Sequence, residues 1–64
     1  MTPEEIKSKI ILKKKTLREI AKKAGVVPSA VTMIIQRRGM SRRLRRLIAL
    51  EIGEAYERVW GEAA

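Results

Sequence analysis

One segment of the chain, residues 28–36, carries polar side chains without charge along one side of a predicted helix. On a helical wheel, the side chains of Ser29, Thr32, Met33 and Gln36 fall within an arc of about 100°. Hydroxyl and amide groups can hydrogen-bond base edges in a DNA major groove, and a thioether can contact a thymine methyl. The alternative is an ordinary solvent-facing helix side, but in a chain with 34% charged residues such a side should carry Lys or Glu. The pattern therefore favours contact with base edges.

Arginines are concentrated directly after this segment. Residues 37–46 contain six Arg and no acidic residue. Guanidinium groups hold phosphate bidentately, which fixes the register of a protein on DNA without reading its sequence. The alternative is a basic face that is only solvated, but the segment contains no acidic residue to offset the positive charge of its arginines. We expect phosphate contacts from residues just before the second predicted helix and from those around the loop between the third and the fourth: Lys15, Thr16, Arg37, Arg38, Arg42 and Arg43. Thr16 is expected to cap its helix as well.

Composition restricts the possible functions. The 64 residues carry a formal net charge of +8, which fits one small domain with a polyanionic partner, either nucleic acid or an anionic membrane. His, Cys, Asp and Asn are missing, which excludes disulfides, thiolate zinc sites and His-dependent nucleophiles. We therefore expect no enzyme, cofactor, metal or small-molecule substrate. An acidic N-terminal segment and the lack of an apolar run of roughly 20 residues predict a cytoplasmic protein with no membrane association. Binding to DNA would make it nucleoid-associated.

Caps and breakers predict the elements that position these groups. Thr2, Thr16 and Ser41 are N-cap residues, and Gly25 and Gly53 end helices. The spacing predicts five short helices and no strands: Pro3 to about Lys14, Leu17–Ala24, Pro28 to about Gln36, Arg42–Ile52, and a last helix carrying Tyr56, Val59 and Trp60. The fold class is thus a compact all-α bundle, with residues 1–64 forming a single domain.

Apolar periodicity predicts which side chains are buried. Tyr56, Val59 and Trp60 are expected in the core, as are Ile6 and Ile10. The inner side of the third helix is predicted to contain Val27, Val31, Ile34 and Ile35. Two residues of the fourth helix break the pattern, because Glu51 falls within its apolar side and Leu50 falls outside it. An exposed Leu50 suggests a two-fold dimer contact.

The twenty residues Leu17–Gln36 resemble the helix-turn-helix of phage and bacterial repressors. The similarity includes Ala21, Gly25, Val26, Val31 and Ile34 at the fifth, ninth, tenth, fifteenth and eighteenth places. Further matches are similar to the small phage proteins of the Ner type, within the lambda repressor-like group. These are Ser41-Arg42-Arg43-Leu44, Ile48-Ala49, Gly53 and Trp60-Gly61.

This resemblance implies a function and a set of contacts. Leu17–Ala24 would position the second helix of the motif, and the helix from Pro28 would enter the major groove with the same four side chains facing the bases. The chain departs from the pattern at Val27, where a Ser or Thr cap is usual, and at Pro28, where many relatives place a base-contacting Gln or Arg. The implied protein is a sequence-specific regulator of transcription, of the phage or prophage repressor type, that binds double-stranded operator DNA as a homodimer.

Other functions remain possible on the sequence alone. A regulator acting through a protein partner, in the manner of an antirepressor or antitoxin, is not excluded. RNA binding through Arg42–Arg46 lacks exposed aromatic side chains for stacking on bases. A cationic membrane-surface protein is disfavoured, because Gly25, Gly39 and Gly53 divide the chain into pieces too short for one continuous amphipathic helix.

Overall fold

Local capping groups begin and end the helices. The Thr2 hydroxyl accepts a hydrogen bond from the Glu5 backbone amide at 3.1 Å, and the Glu5 carboxylate accepts one from the Thr2 backbone amide at 2.8 Å. This reciprocal pair starts the first helix. The hydroxyls of Thr16 and Ser41 likewise accept hydrogen bonds from backbone amides at the starts of two later helices. Gly25 ends a helix in the left-handed conformation, with φ of 72°.

The computed structural model describes residues 1–61, which contain five helices and no strand. The expected domain of residues 1–64 therefore includes three residues, 62–64, that lie outside the described part. The helices are α1 (Pro3–Leu12), α2 (Leu17–Ala24), α3 (Pro28–Ile35), α4 (Arg42–Ile52) and α5 (Tyr56–Trp60). The all-helical prediction is confirmed, with α2 and α4 at the expected bounds.

A single apolar core joins the five helices. Each helix contributes at least two buried apolar side chains, and Ile6, Ile20, Val31, Ile35, Ile48 and Val59 are fully buried. Tyr56 and Trp60 lie in the core as predicted. The Cα radius of gyration is 10.3 Å, close to the roughly 10.7 Å expected for a compact chain of this length.

The fourth helix packs against all the others. Arg43, at the start of α4, donates a hydrogen bond to the carbonyl of Ala24 at the end of α2. Lys15, just before α2, donates to the carbonyl of Glu51 near the end of α4. These two contacts place α2 alongside α4 in the opposite direction, and α3 follows α2 and packs against both.

Two details of the sequence prediction are wrong. The first helix ends at Leu12 rather than about Lys14, because Lys14 has a φ of 57° and leaves the helix. Val27 is 63% exposed, because it is the N-cap of α3, where an extended backbone (φ −76°, ψ 152°) no longer follows the helical period. The third helix ends at Ile35 with Gln36 as its C-cap, within one residue of the predicted end.

Candidate nucleic-acid interface

The four side chains expected to face DNA bases lie together on the outer side of α3. Ser29, Met33 and Gln36 are exposed and Thr32 is half-buried. The Thr32 hydroxyl donates to the Pro28 carbonyl at 3.4 Å, which is a long bond. Among the described residues, the Gln36 amide has no hydrogen-bond partner, so both its donor and its acceptor are open. The side carries no charge and offers a hydroxyl pair, an amide and a thioether.

The inner side of α3 holds this helix against the rest of the molecule. Val31, Ile34 and Ile35 are buried and pack on α2 and α4. The turn between α2 and α3 is short, since Gly25 ends α2 and the Val26 amide donates back to the Ala21 carbonyl at 3.0 Å. The outer side of α3 is thereby presented by a rigid element, which favours reproducible contacts with a ligand.

The four arginines that flank Gly39–Ser41 divide into two pairs. One pair already has partners inside the molecule. The Arg37 guanidinium donates to the carbonyls of Met1 and Val59 at 3.0 and 3.3 Å and lies 5.8 Å from the centre of the Trp60 ring. The Arg43 guanidinium donates to the Ala24 carbonyl at 2.7 Å. Sequence reasoning had no signal for these contacts, because the acceptors are backbone carbonyls distant along the chain.

The other pair points to solvent. Arg38 and Arg42 are exposed, and neither guanidinium has an ion-pair or hydrogen-bond partner within residues 1–61. Met40, which is 92% exposed, lies between Arg38 in the loop and Arg42 at the start of α4. Ser41 caps α4 beside Arg42, and an open depression is lined by Met40, Ser41, Arg42 and Arg45. Arg38 and Arg42 are therefore the arginines of the four most available to phosphate.

The two predicted contacts before α2 are also engaged within the fold. Lys15 donates to the Glu51 carbonyl at 3.1 Å and lies 3.5 Å from its carboxylate. Thr16 is the N-cap of α2, as expected, and its hydroxyl accepts the Glu19 amide at 3.1 Å. Phosphate contact by either residue stays a prediction, and for Lys15 it requires competition with Glu51.

Glu51 is the charged residue that the apolar pattern left unexplained. It is 8% exposed, and its carboxylate lies 2.9 Å from the Lys23 ammonium as well as 3.5 Å from that of Lys15. The hydrogen bond from Lys23 lowers the pKa of Glu51 below its usual value, although burial opposes this shift. The sequence signalled Glu51 only as a misfit, since its two partners are 28 and 36 residues away.

The ion pairs found among residues 1–61 lie outside the loop and helix start that carry Arg38 and Arg42. Within the described part of the chain, the ion pairs join Glu51 to Lys15 and Lys23, and Glu54 to Lys9 and Arg58. Residues 37–46 contain no acidic residue, and the guanidiniums of Arg38 and Arg42 have no ion pair with residues 1–61. These two exposed guanidiniums place positive charge next to the uncharged outer side of α3, a charge pattern that suits a polyanion.

The described residues contain neither a membrane-spanning helix nor a metal-binding cluster. None of the helices in residues 1–61 has the length and apolar character needed to cross a bilayer. No group of three or more acidic side chains in that range could hold a metal ion. No protein-family model, no curated protein and no solved structure matches the chain. The function is therefore inferred from the geometry and the charge of its own residues.

Proposed function

We propose that this protein is a sequence-specific regulator of transcription that binds double-stranded DNA, of the phage or prophage repressor type. In this proposal α2, the turn at Gly25 and α3 act as a helix-turn-helix, and α3 lies in the major groove. The observation that carries the proposal is the uncharged outer side of α3 beside the exposed guanidiniums of Arg38 and Arg42, which have no partner within residues 1–61. Because such a protein binds chromosomal DNA, a cytoplasmic and nucleoid-associated location is part of the proposal.

Base contacts are assigned to the outer side of α3. Gln36 has an unoccupied amide that can pair bidentately with adenine, and Thr32 and Ser29 supply hydroxyls that can bond several base edges. Met33 is 48% exposed and offers an apolar surface for a thymine methyl. The four groups span two turns of one helix, a length that suits contact with three or four adjacent base pairs.

Phosphate contacts are assigned first to Arg38 and Arg42. Both guanidiniums are free of partners in the described residues; Arg38 lies in the segment between α3 and α4, and Arg42 is the first residue of α4. A protein that neutralises DNA phosphates releases counterions, so the logarithm of its binding constant falls with the logarithm of the salt concentration. The slope of this line is about −0.9 for each phosphate neutralised. These contacts would strengthen binding to every DNA sequence alike.

A homodimer on DNA completes the proposal. One small module buries little surface and forms few contacts, so a single copy would bind weakly. Leu50 is 75% exposed on α4, where an apolar side chain of a second copy could cover it. Two copies related by a two-fold axis would read a palindrome with half-sites about 34 Å apart.

The proposal is tested by selecting preferred duplexes from a random library at about 150 mM salt, near physiological ionic strength, and sequencing them. We expect enrichment of a palindrome with half-sites one helical turn apart. Enrichment of a single half-site would retain the base contacts and contradict the dimer. Binding without enrichment that disappears as salt is raised would contradict sequence-specific recognition.

A further inference from the structure

Hydrogen bonds from two arginines join the segments before and after α3 to other parts of the fold. Before α3, Arg43 of α4 donates to the carbonyl of Ala24, the last residue of α2, at 2.7 Å. After α3, Arg37 donates to the carbonyls of Met1 and Val59 at 3.0 and 3.3 Å. Each guanidinium thus connects the chain on one side of α3 to a different element of the fold.

The contact of Arg43 lies at the point where the chain changes direction. The last carbonyls of a helix have no partner within the helix, and the Ala24 carbonyl is one of them. The guanidinium of Arg43 supplies a partner one residue before Gly25, at the beginning of the turn that leads to α3. Because Arg43 belongs to the first turn of α4, this bond joins the start of α4 to the end of α2, directly before the turn that leads to α3.

The contact of Arg37 lies at the other end, directly after the Gln36 cap. Arg37 has a φ of 60°, a conformation that costs a residue other than glycine about 1 kcal/mol and persists only where the surroundings impose it. Its side chain reaches Val59 of α5 and lies over the Trp60 ring, which is 6% exposed. The end of α3 is thereby attached to α5 and to the start of the chain.

We propose that Arg43 and Arg37 are positioning residues that set the orientation of α3, and that they are not phosphate contacts. This inference rests on the proposed function, since α3 needs a fixed orientation only if its outer side contacts a ligand. It divides the arginine cluster by role. Arg38 and Arg42 supply the sequence-independent attraction to DNA, whereas Arg37 and Arg43 determine how well Gln36 and its neighbours meet the base edges.

The two roles differ in their dependence on salt. Loss of a phosphate contact weakens binding to all duplexes and lowers the logarithmic salt slope by about 0.9. Loss of a positioning contact lowers the preference for the selected duplex over a scrambled one, and it leaves the slope unchanged. Arg43→Ala and Arg42→Ala form a matched pair, because they remove the same charge from adjacent residues at the start of α4.

The experiment measures affinity for the selected and scrambled duplexes over a series of salt concentrations, at a temperature where circular dichroism shows each variant folded. For Arg43→Ala and for Arg37→Ala we expect the preference to fall roughly tenfold, the effect of losing about one charge-assisted hydrogen bond, with an unchanged salt slope. Arg43→Lys, which keeps the charge and supplies an ammonium donor, should recover part of the preference. A lower slope with an unchanged preference in either alanine variant would overturn its assignment as a positioning residue.

Amide hydrogen exchange gives a readout that does not depend on DNA. The Val26 amide closes the turn by donating to the Ala21 carbonyl, and the Lys13 amide donates to the Lys9 carbonyl at the end of α1. In Arg43→Ala we expect Val26 to exchange roughly tenfold faster relative to Lys13, since the loss is local to the turn. Equal acceleration of both amides, or of neither, would overturn the inference. If the wild-type protein prefers no duplex, the proposed function fails and this exchange ratio alone decides whether Arg43 holds the turn.

Discussion

Replacing Glu51 with Gln isolates the charge of one buried carboxylate at nearly constant shape. In the wild-type protein the Glu51 carboxylate is 8% exposed, accepts a hydrogen bond from Lys23 at 2.9 Å, and lies 3.5 Å from Lys15. These contacts join α4 to α2 and to the segment before it. The variant Glu51→Gln keeps an oxygen acceptor for Lys23 and removes the negative charge that both lysines face.

The magnitude follows from the geometry of the two contacts. The Lys23 ammonium stays charged in the variant and keeps a charge-assisted hydrogen bond, so the change at Lys23 is the loss of the ion-pair attraction, about 1 kcal/mol for a partly solvated ammonium. The pair with Lys15 adds less than about 1 kcal/mol, because that ammonium is partly solvated. For a domain of this size each kcal/mol lowers the melting temperature by roughly 4–8 °C. We therefore expect Glu51→Gln to melt about 5–15 °C lower at pH 7.

Urea denaturation at neutral and at acidic pH tests this assignment. Because the pKa of Glu51 is lowered in the folded state by Lys23, its stabilising contribution is complete above the unfolded pKa and is lost as the pH falls through the folded pKa. The difference between wild type and variant should thus be present at pH 7 and disappear in strong acid. Glu57→Gln is the matched control, since Glu57 is an exposed acid of α5 without an ion pair in the described residues. A difference that persists in acid, or an equal loss in the control, would refute the reasoning.

Two further changes address the dimer and the core. Leu50→Glu should convert a dimer into a monomer, as measured by sedimentation equilibrium. The melting curve of the monomer should stay unchanged, because Leu50 is 75% exposed. An unaltered mass would remove Leu50 from the interface. Trp60→Phe should lower the free energy of unfolding by about 1–3 kcal/mol, because the indole Nε1 donates a hydrogen bond to the Arg45 carbonyl at 2.9 Å. The measurement is urea denaturation followed by far-ultraviolet circular dichroism. An unchanged urea midpoint would show that this hydrogen bond contributes nothing.

Local signals predicted the helices well because caps act over a few residues. The pairs Thr16 with Gly25 and Ser41 with Gly53 define the bounds of α2 and α4 in the structure as in the sequence. The end of α1 was predicted two residues too late. The chain leaves the helix there with Lys14 in the left-handed region, and Lys15 is held by Glu51 of α4, a contact that no local pattern contains.

The candidate site was predictable where it depends on helical periodicity. The exposed positions of Ser29 and Met33 follow from the wheel because α3 is regular, and Gln36 is exposed at its C-cap. Val27 was misplaced because an N-cap residue lies outside that period. The division of the arginines into two pairs was not predictable, since Arg43 and Arg37 bond backbone carbonyls 19 to 36 residues away, and every residue type supplies the same carbonyl.

The central claim is that the outer side of α3 reads base edges, and the affinity of Gln36→Ala for DNA tests it most directly. The measurement compares this variant with Arg42→Ala on the selected duplex and on a scrambled duplex of equal length and salt. We predict that Gln36→Ala loses about 1–3 kcal/mol on the selected duplex alone, whereas Arg42→Ala weakens both duplexes equally. Equal weakening of both duplexes by Gln36→Ala would contradict base recognition by α3.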